Sequence, residues 1–251
     1  VLTSCVTITL DSLRYDVARA ALPDVPWEER TAWGTWTLPS HLMLGAGLLP
    51  FRRHTGLAVD YYRSAYRDWS VRMGTLIKRE PEMWLPTTLR RLGIRTGTVT
   101  SLPCLNRAGQ YGRGWNLHYP VGLDAAPEAL GYVLDAMNER KSPWWWVVNL
   151  GATHYPYGLD LPRLSGLHGN DGGRDSVRFD ADQLRIMKSA QARLLLETWE
   201  LIQVFRAELP TGTTLIVTSD HGELFGEHDL FGHGPFDHPA LRAVPYWEVR
   251  A

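Results

Sequence analysis

The sequence predicts an α/β fold with a mostly parallel central sheet, and three observations carry that prediction. Four short apolar runs recur along the 251 residues, at 6–10, 96–101, 145–150 and 215–219, each of the continuous kind that marks a strand buried on both faces. Helical stretches at 87–92, 127–141 and 181–209 alternate with them, which implies βα units and parallel strands. Residues able to do chemistry follow directly on the first and last runs, Asp11 after VTITL and Asp220 with His221 after LIVTS. Open parallel sheets bind ligands in the crevice beyond the carboxyl ends of their strands, so these residues share one rim if the two strands are neighbours.

The elements follow in order. In TLPSH, residues 37–41, Pro39 suits the first turn of a helix, where its missing N–H would have no partner anyway. Thr37 then lies at or just before a helix start, where free amides favour an anion; a Thr there is also an ordinary helix cap. Gly93 after TTLRRL is a helix-ending residue. Trp144, Trp145 and Trp146 send consecutive rings to opposite sides of a strand, so both sheet faces must accept a large ring. Residues 161–179, LPRLSGLHGNDGGRDSVRF, are polar and glycine-rich and read as a surface loop. Their place shortly after HYPY gives them the position of an active-site lid. Trp33 and Trp36, just ahead of Thr37, are candidates for an aromatic pocket wall, or for shielding of the helix start. No internal repeat or low-complexity linker divides the chain.

Two carboxylates and an imidazole, Asp11, Asp220 and His221, form a mixed oxygen and nitrogen set suited to zinc or manganese; calcium and magnesium favour oxygen-only shells. Taken alone, a strand-end Asp is more often a helix N-cap. A Thr hydroxyl is a feeble nucleophile unless a base or a cation activates it.

These segments, LDSLRYD, TLPSH with the small apolar stretch LMLGAGLLP, HYPY, TSDHGELFGEHDLFGHG and LRAVPYW, occur in the order found in the sulfatase-like branch of the alkaline phosphatase superfamily, which the chain resembles from residue 6 to about 246. The resemblance implies an alkaline-phosphatase-like single domain over residues 1–251, without the C-terminal subdomain that larger members carry. It implies one divalent metal ion, zinc or manganese ahead of magnesium or calcium, bound by Asp11, Thr37, Asp220 and His221. It places Thr37 at the nucleophile position, and His154 and His233 where the family holds the transferred group, as catalytic and substrate-binding residues. His41 and Trp36 are further candidates for substrate binding. Sulfatases proper convert a Cys or Ser at the nucleophile position to formylglycine, with an Arg four residues on; here Thr37 and His41 stand at those places. A Thr is similar instead to phosphoethanolamine and lipoteichoic acid transferases and nucleotide phosphodiesterases, which favours a phosphoester through a phosphothreonine. The alternatives are a sulfatase or phosphonate hydrolase using metal-bound water, and a catalytically silent binding member of the fold. Asp160 and His168 lack the spacing of a second metal site. Glu223 in DHGE is placed to orient an imidazole, or to complement a helix dipole.

Composition narrows the classes further. A 44% hydrophobic content suits one large core, and a net charge of −1 gives no general attraction for nucleic acid or anionic membrane. Cys5 and Cys104 make no disulfide framework, so a reducing, cytoplasmic setting is expected. No run approaches the ~20 apolar residues of a bilayer span, and the first residues lead straight into a strand. The expected partner is therefore a small, soluble anionic ester, with no membrane and no nucleic acid, and with oligomers allowed.

Overall fold

Strand β1 (Cys5–Leu10) lies at the centre of the molecule, with five of its six residues buried. In the computed structural model, which describes residues 3–32, 34–47, 75, 78–139, 143–162, 164, 167–169, 179–235 and 237–251, β1 pairs in parallel with β5 (Trp144–Leu150) on one side and β7 (Thr214–Thr218) on the other. Beyond β5 come β3 (Arg95–Thr100) and β4 (Leu117–Pro120), also parallel. Beyond β7 the sheet ends in antiparallel β10 (Ala243–Arg250) and β2 (Glu28–Thr31), giving the order β2-β10-β7-β1-β5-β3-β4. Strands to either side of β1 enter from different parts of the chain, so its carboxyl end opens on a crevice of the kind that binds ligands.

Helices cover both faces. On one, α1 (Tyr15–Ala21), α4 (Ala126–Glu139) and α5 (Ala181–Glu208) pack on Val6, Ile8, Leu10, Trp144 and Trp146. On the other, α2 (Thr37–Ala46) and α3 (Leu85–Arg91) close over Trp145 and Val147. The three tryptophans of β5 therefore divide between the two cores, as strand alternation requires. Trp146 lies over Gly97 of β3, where an added Cβ would meet its ring at 2.3 Å. Gly93, at φ 80, takes the left-handed conformation just beyond α3. A small sheet of β6 (Leu167–Gly169), β9 (Leu230–Gly232) and β8 (Leu224–Phe225) stands beside the crevice, with short α6 (Pro239–Arg242) leading into β10. Most of the segment expected to be a lid lies outside the described residues; within it, β6 is a strand rather than loop.

Candidate active site

Parallel pairing of β1 with β7 brings the two strand ends together. Asp11 follows β1, and its amide donates to the Leu150 carbonyl at 2.9 Å, which sets its carboxylate at the mouth of the crevice. Asp220 and His221 lie two and three residues beyond β7, and Ser219 Oγ lies 2.6 Å from the Leu10 carbonyl, tying that turn to β1. Asp11, Asp220 and His221 are all buried, with one possible ligand atom from each lying within 4.8 Å of the others, and this is the one such cluster among the described residues.

Thr37 enters from the other direction. The N-cap of α2 is Trp36, in extended conformation, so Thr37 is the first helical residue and its hydroxyl is not occupied as the cap. Its Oγ1 lies 3.5 and 3.4 Å from the two Asp11 carboxylate oxygens and 3.3 Å from His221 Nε2. Gly47, at φ 65, ends the helix.

The surrounding groups orient these four. Asn149 Nδ2 donates to Asp11 Oδ2 at 2.8 Å, and Thr153 Oγ1 donates to the Asp11 carbonyl at 2.7 Å. The Ser12 and His221 amides reach Asp220 Oδ1 at 3.3 and 3.0 Å. His221 Nδ1 is turned to the Gly222 carbonyl at 2.8 Å, which leaves Nε2 facing the cluster with its lone pair. Gln191 of α5, fully buried, donates to the carbonyls of Ser12 and Thr153 and so fastens the loop after β1 to the loop after β5.

Electrostatics makes the cluster incomplete by itself. Burial, together with the charge of Asp11, pushes the Asp220 carboxyl well above its usual range. Burial acts the same way on Asp11, but His154, His221, His233 and the Asn149 hydrogen bond carry it below the ordinary value. Burial and the neighbouring His233 drive His221 well below, towards the neutral form that binds metals. Asp220 Oδ2 is buried with no hydrogen-bond donor. Two buried carboxylates side by side, one with an unpartnered oxygen, and a neutral imidazole fit a divalent cation of the zinc type.

His233 and His154 stand at the edge of this cluster, their rings 5.2 Å apart, with His233 4.4 Å from His221 between ring centroids. Burial lowers the His233 pKa, but the Glu223 carboxylate at 2.9 Å more than reverses it, so it lies above the ordinary imidazole value. His41 is walled in: Nε2 meets Thr9 Oγ1 at 3.1 Å and Nδ1 the Thr37 carbonyl at 2.9 Å, and burial lowers its pKa. Trp36 is half-buried and packs with Leu38 on the core beneath α2. Trp33 lies outside the described residues, Asp160 is exposed, and His168 contributes backbone to β6 opposite Phe231. A cavity of about 320 Å³ touches Asp220 and His41, but Thr37, Asp11 and His221 are not in its lining.

Sequence reasoning did not single out Asn149, Ser12, Thr153, Gln191 or Tyr157. A signal existed for Asn149, a polar residue at the carboxyl end of an apolar strand beside β1.

No protein-family model and no curated protein matches the sequence. Solved structures do. The C-terminal periplasmic domain of the phosphoethanolamine transferase EptC from Campylobacter jejuni is 15% identical, with a TM-score of 0.63 over 99% of this chain and 80% of that one. The corresponding EptC domain from Escherichia coli, a complex with zinc, is 14% identical, with a TM-score of 0.61 over 100% of this chain and 73% of its own. A 2-O GAG sulfatase is 12% identical and reaches 0.66 over 100% and 65%. The cytoplasmic expectation is corrected here: several of the similar structures are periplasmic domains, which points outside the cytoplasm. Two cysteines could not decide the compartment, because a chain with a full core needs no disulfides in either. Among the described residues no helix is long and apolar enough to cross a membrane. The likeness to transferases and sulfatase alike runs the whole length of the chain, and the fold is alkaline-phosphatase-like.

Proposed function

We propose that the chain transfers or hydrolyses a phosphoester through Thr37, with Asp11, Asp220, His221 and Thr37 holding one divalent cation, zinc by preference. The observation that carries this reading is the Thr37 hydroxyl, freed from capping and within 3.5 Å of both Asp11 and His221. A phosphoester is preferred over a sulfate ester because a Thr has no route to formylglycine and a phosphothreonine is a competent intermediate. The zinc in one similar domain and the transferases among the similar structures support the same choice. A small soluble substrate has no such support, so the substrate is left as an anionic ester of a larger or smaller alcohol.

A bound cation would supply charge that lowers the proton affinity of the Thr37 oxygen and offsets negative charge on the phosphoryl group. The chain's own residues do the rest. The start of α2 presents Thr37 with free amides behind it. Asn149 and Ser12 hold the two carboxylates in place, and His154 and His233 are assigned to the oxygens of the transferred group. His41 and Trp36 brace the first turn of α2 from behind.

The experiment is turnover of phosphomonoesters, phosphodiesters and sulfate esters by the zinc-loaded protein beside Thr37→Ala. We expect phosphoester turnover to fall at least ~10³-fold in the variant, with zinc content retained and a phosphoryl adduct on Thr37 found by mass spectrometry of the wild type alone. Unchanged turnover in Thr37→Ala would remove Thr37 from the mechanism, and activity on sulfate esters alone would overturn the substrate class.

A further inference from the structure

Gln191 is out of place on the buried face of α5. Its neighbours there, Met187, Ala190 and Leu195, are apolar, as a helix face packed on a core requires. Gln191 is fully buried, and its Nε2 donates to the carbonyls of Ser12 at 3.0 Å and Thr153 at 3.1 Å. Its Oε1 is buried with no hydrogen-bond donor among the described residues. Turning the amide over would not help, because that would set its oxygen against two carbonyls. An acceptor left without a partner is thus the cost of aiming both N–H groups at two loops.

Both carbonyls lead back to the metal cluster. Ser12 is the third residue of a turn closed by the Leu13 amide on the Leu10 carbonyl at 3.2 Å, and it lies at φ 63, where such a turn ordinarily has glycine. Glycine would lack the hydroxyl, and Ser12 Oγ donates to Asp11 Oδ1 at 3.1 Å. The Ser12 amide donates to Asp220 Oδ1 at 3.3 Å, so one strained residue reaches both carboxylates. On the other loop, the Thr153 hydroxyl holds the Asp11 carbonyl at 2.7 Å. Like charges in a buried site repel strongly, so Asp11 and Asp220 stay side by side only where donors hold them. Gln191 fastens both loops that carry those donors.

We propose that Gln191 is a positioning residue for the metal site: through Ser12 and Thr153 it holds the Asp11 and Asp220 carboxylates in their ligating orientation before a cation arrives. The inference rests on the metal-site reading above. A ligand set fixed in advance loses little freedom on binding, and its affinity is higher for that reason. The hydrogen bonds of Gln191 go to backbone carbonyls alone, so it acts on the geometry and affinity of the site and takes no part in the transfer itself.

Zinc affinity by chelator competition and the visible absorption of the cobalt(II)-loaded protein test this in wild type, Gln191→Met and Ser12→Gly. Gln191→Met keeps the length of the side chain and loses both donors. Its zinc binding should weaken ~10-fold, and its cobalt bands should shift as the ligand geometry loosens. A role confined to packing would lower the melting temperature of the metal-free protein and leave both readouts at wild-type values, and that result overturns the proposal. Ser12→Gly accepts φ 63 but drops the hydroxyl and frees the turn, so it too should bind zinc more weakly. It carries the test if Gln191→Met fails to fold, and wild-type affinity in Ser12→Gly would show that the turn does not set the carboxylates. His221→Ala separates this role from the reading beneath it. A wild type that binds zinc no better than His221→Ala refutes the metal site, and the role of Gln191 with it.

Discussion

Asn149 closes β5, WWWVVNL, as the polar end of a buried run, and its amide is what holds Asp11 in one orientation. Replacing it with Leu removes that donor from a fully buried carboxylate, so Asn149→Leu should bind zinc about 10–100-fold more weakly in a chelator competition. Affinity equal to that of the wild type would mean that Asn149 does not orient Asp11. That Asp11, Asp220 and His221 come together was foreseeable because each follows an apolar strand, at the end where a parallel sheet gathers its polar residues, although a strand-end Asp alone is more often a helix N-cap. Asn149 gave the same positional signal, but an amide is at home in many hydrogen-bonded settings and carries no chemistry of its own. Glu223 was legible as a partner for an imidazole. That the imidazole is His233, and that Tyr157, 66 residues earlier in the chain, grips the other oxygen, follows only from the folding of the small sheet against the loop after β5.

At the scale of elements, the apolar strands appeared within about a residue of their sequence positions, since burial on both faces of a sheet leaves an unbroken apolar run as its trace. Helix α5 was equally visible, and its start has a local cause. Asp180 accepts from the Gln183 amide at 2.7 Å while the Gln183 side chain accepts from the Asp180 amide at 2.9 Å, a reciprocal cap. Asp180→Ala should lower stability by about 1 kcal/mol in denaturant unfolding without changing zinc affinity; no change would show that the first turn contributes nothing to stability. The two antiparallel strands of the large sheet left no such trace. β2, Glu28–Thr31, is exposed at all four positions, and β10 mixes Pro245 with charged residues; both are strands because their neighbours offer backbone partners, not because of a pattern of their own.

Across the whole molecule, Arg14 ties the layers together. It pairs with Asp16 at 2.8 Å and with Glu227 beside the small sheet, while Lys188 of α5 reaches Asp16 at 2.7 Å. Burial raises the Asp16 and Glu227 carboxyls, and Arg14 more than reverses this, so both lie below their ordinary values. A depressed carboxylate stabilises the fold above the unfolded-state pKa, about 3.9 for Asp and 4.3 for Glu, and that contribution is lost as pH falls through the lower folded value. Arg14→Met should therefore lose less melting temperature than the wild type between pH 6 and pH 3, and equal losses would place the acid sensitivity elsewhere. The compartment belongs to this scale as well: cysteine count suggested a reducing setting, and likeness to periplasmic domains over the full chain overturned it. By itself the sequence determined the alternation of strands and helices, the Thr at a helix start and the ligand types at two strand ends, because periodicity and residue chemistry are local. Only the tertiary structure decided that β1 lies between β5 and β7, and hence that Thr37 meets Asp11 and His221 and that His233 rests on Glu223, because such contacts depend on which strands become neighbours.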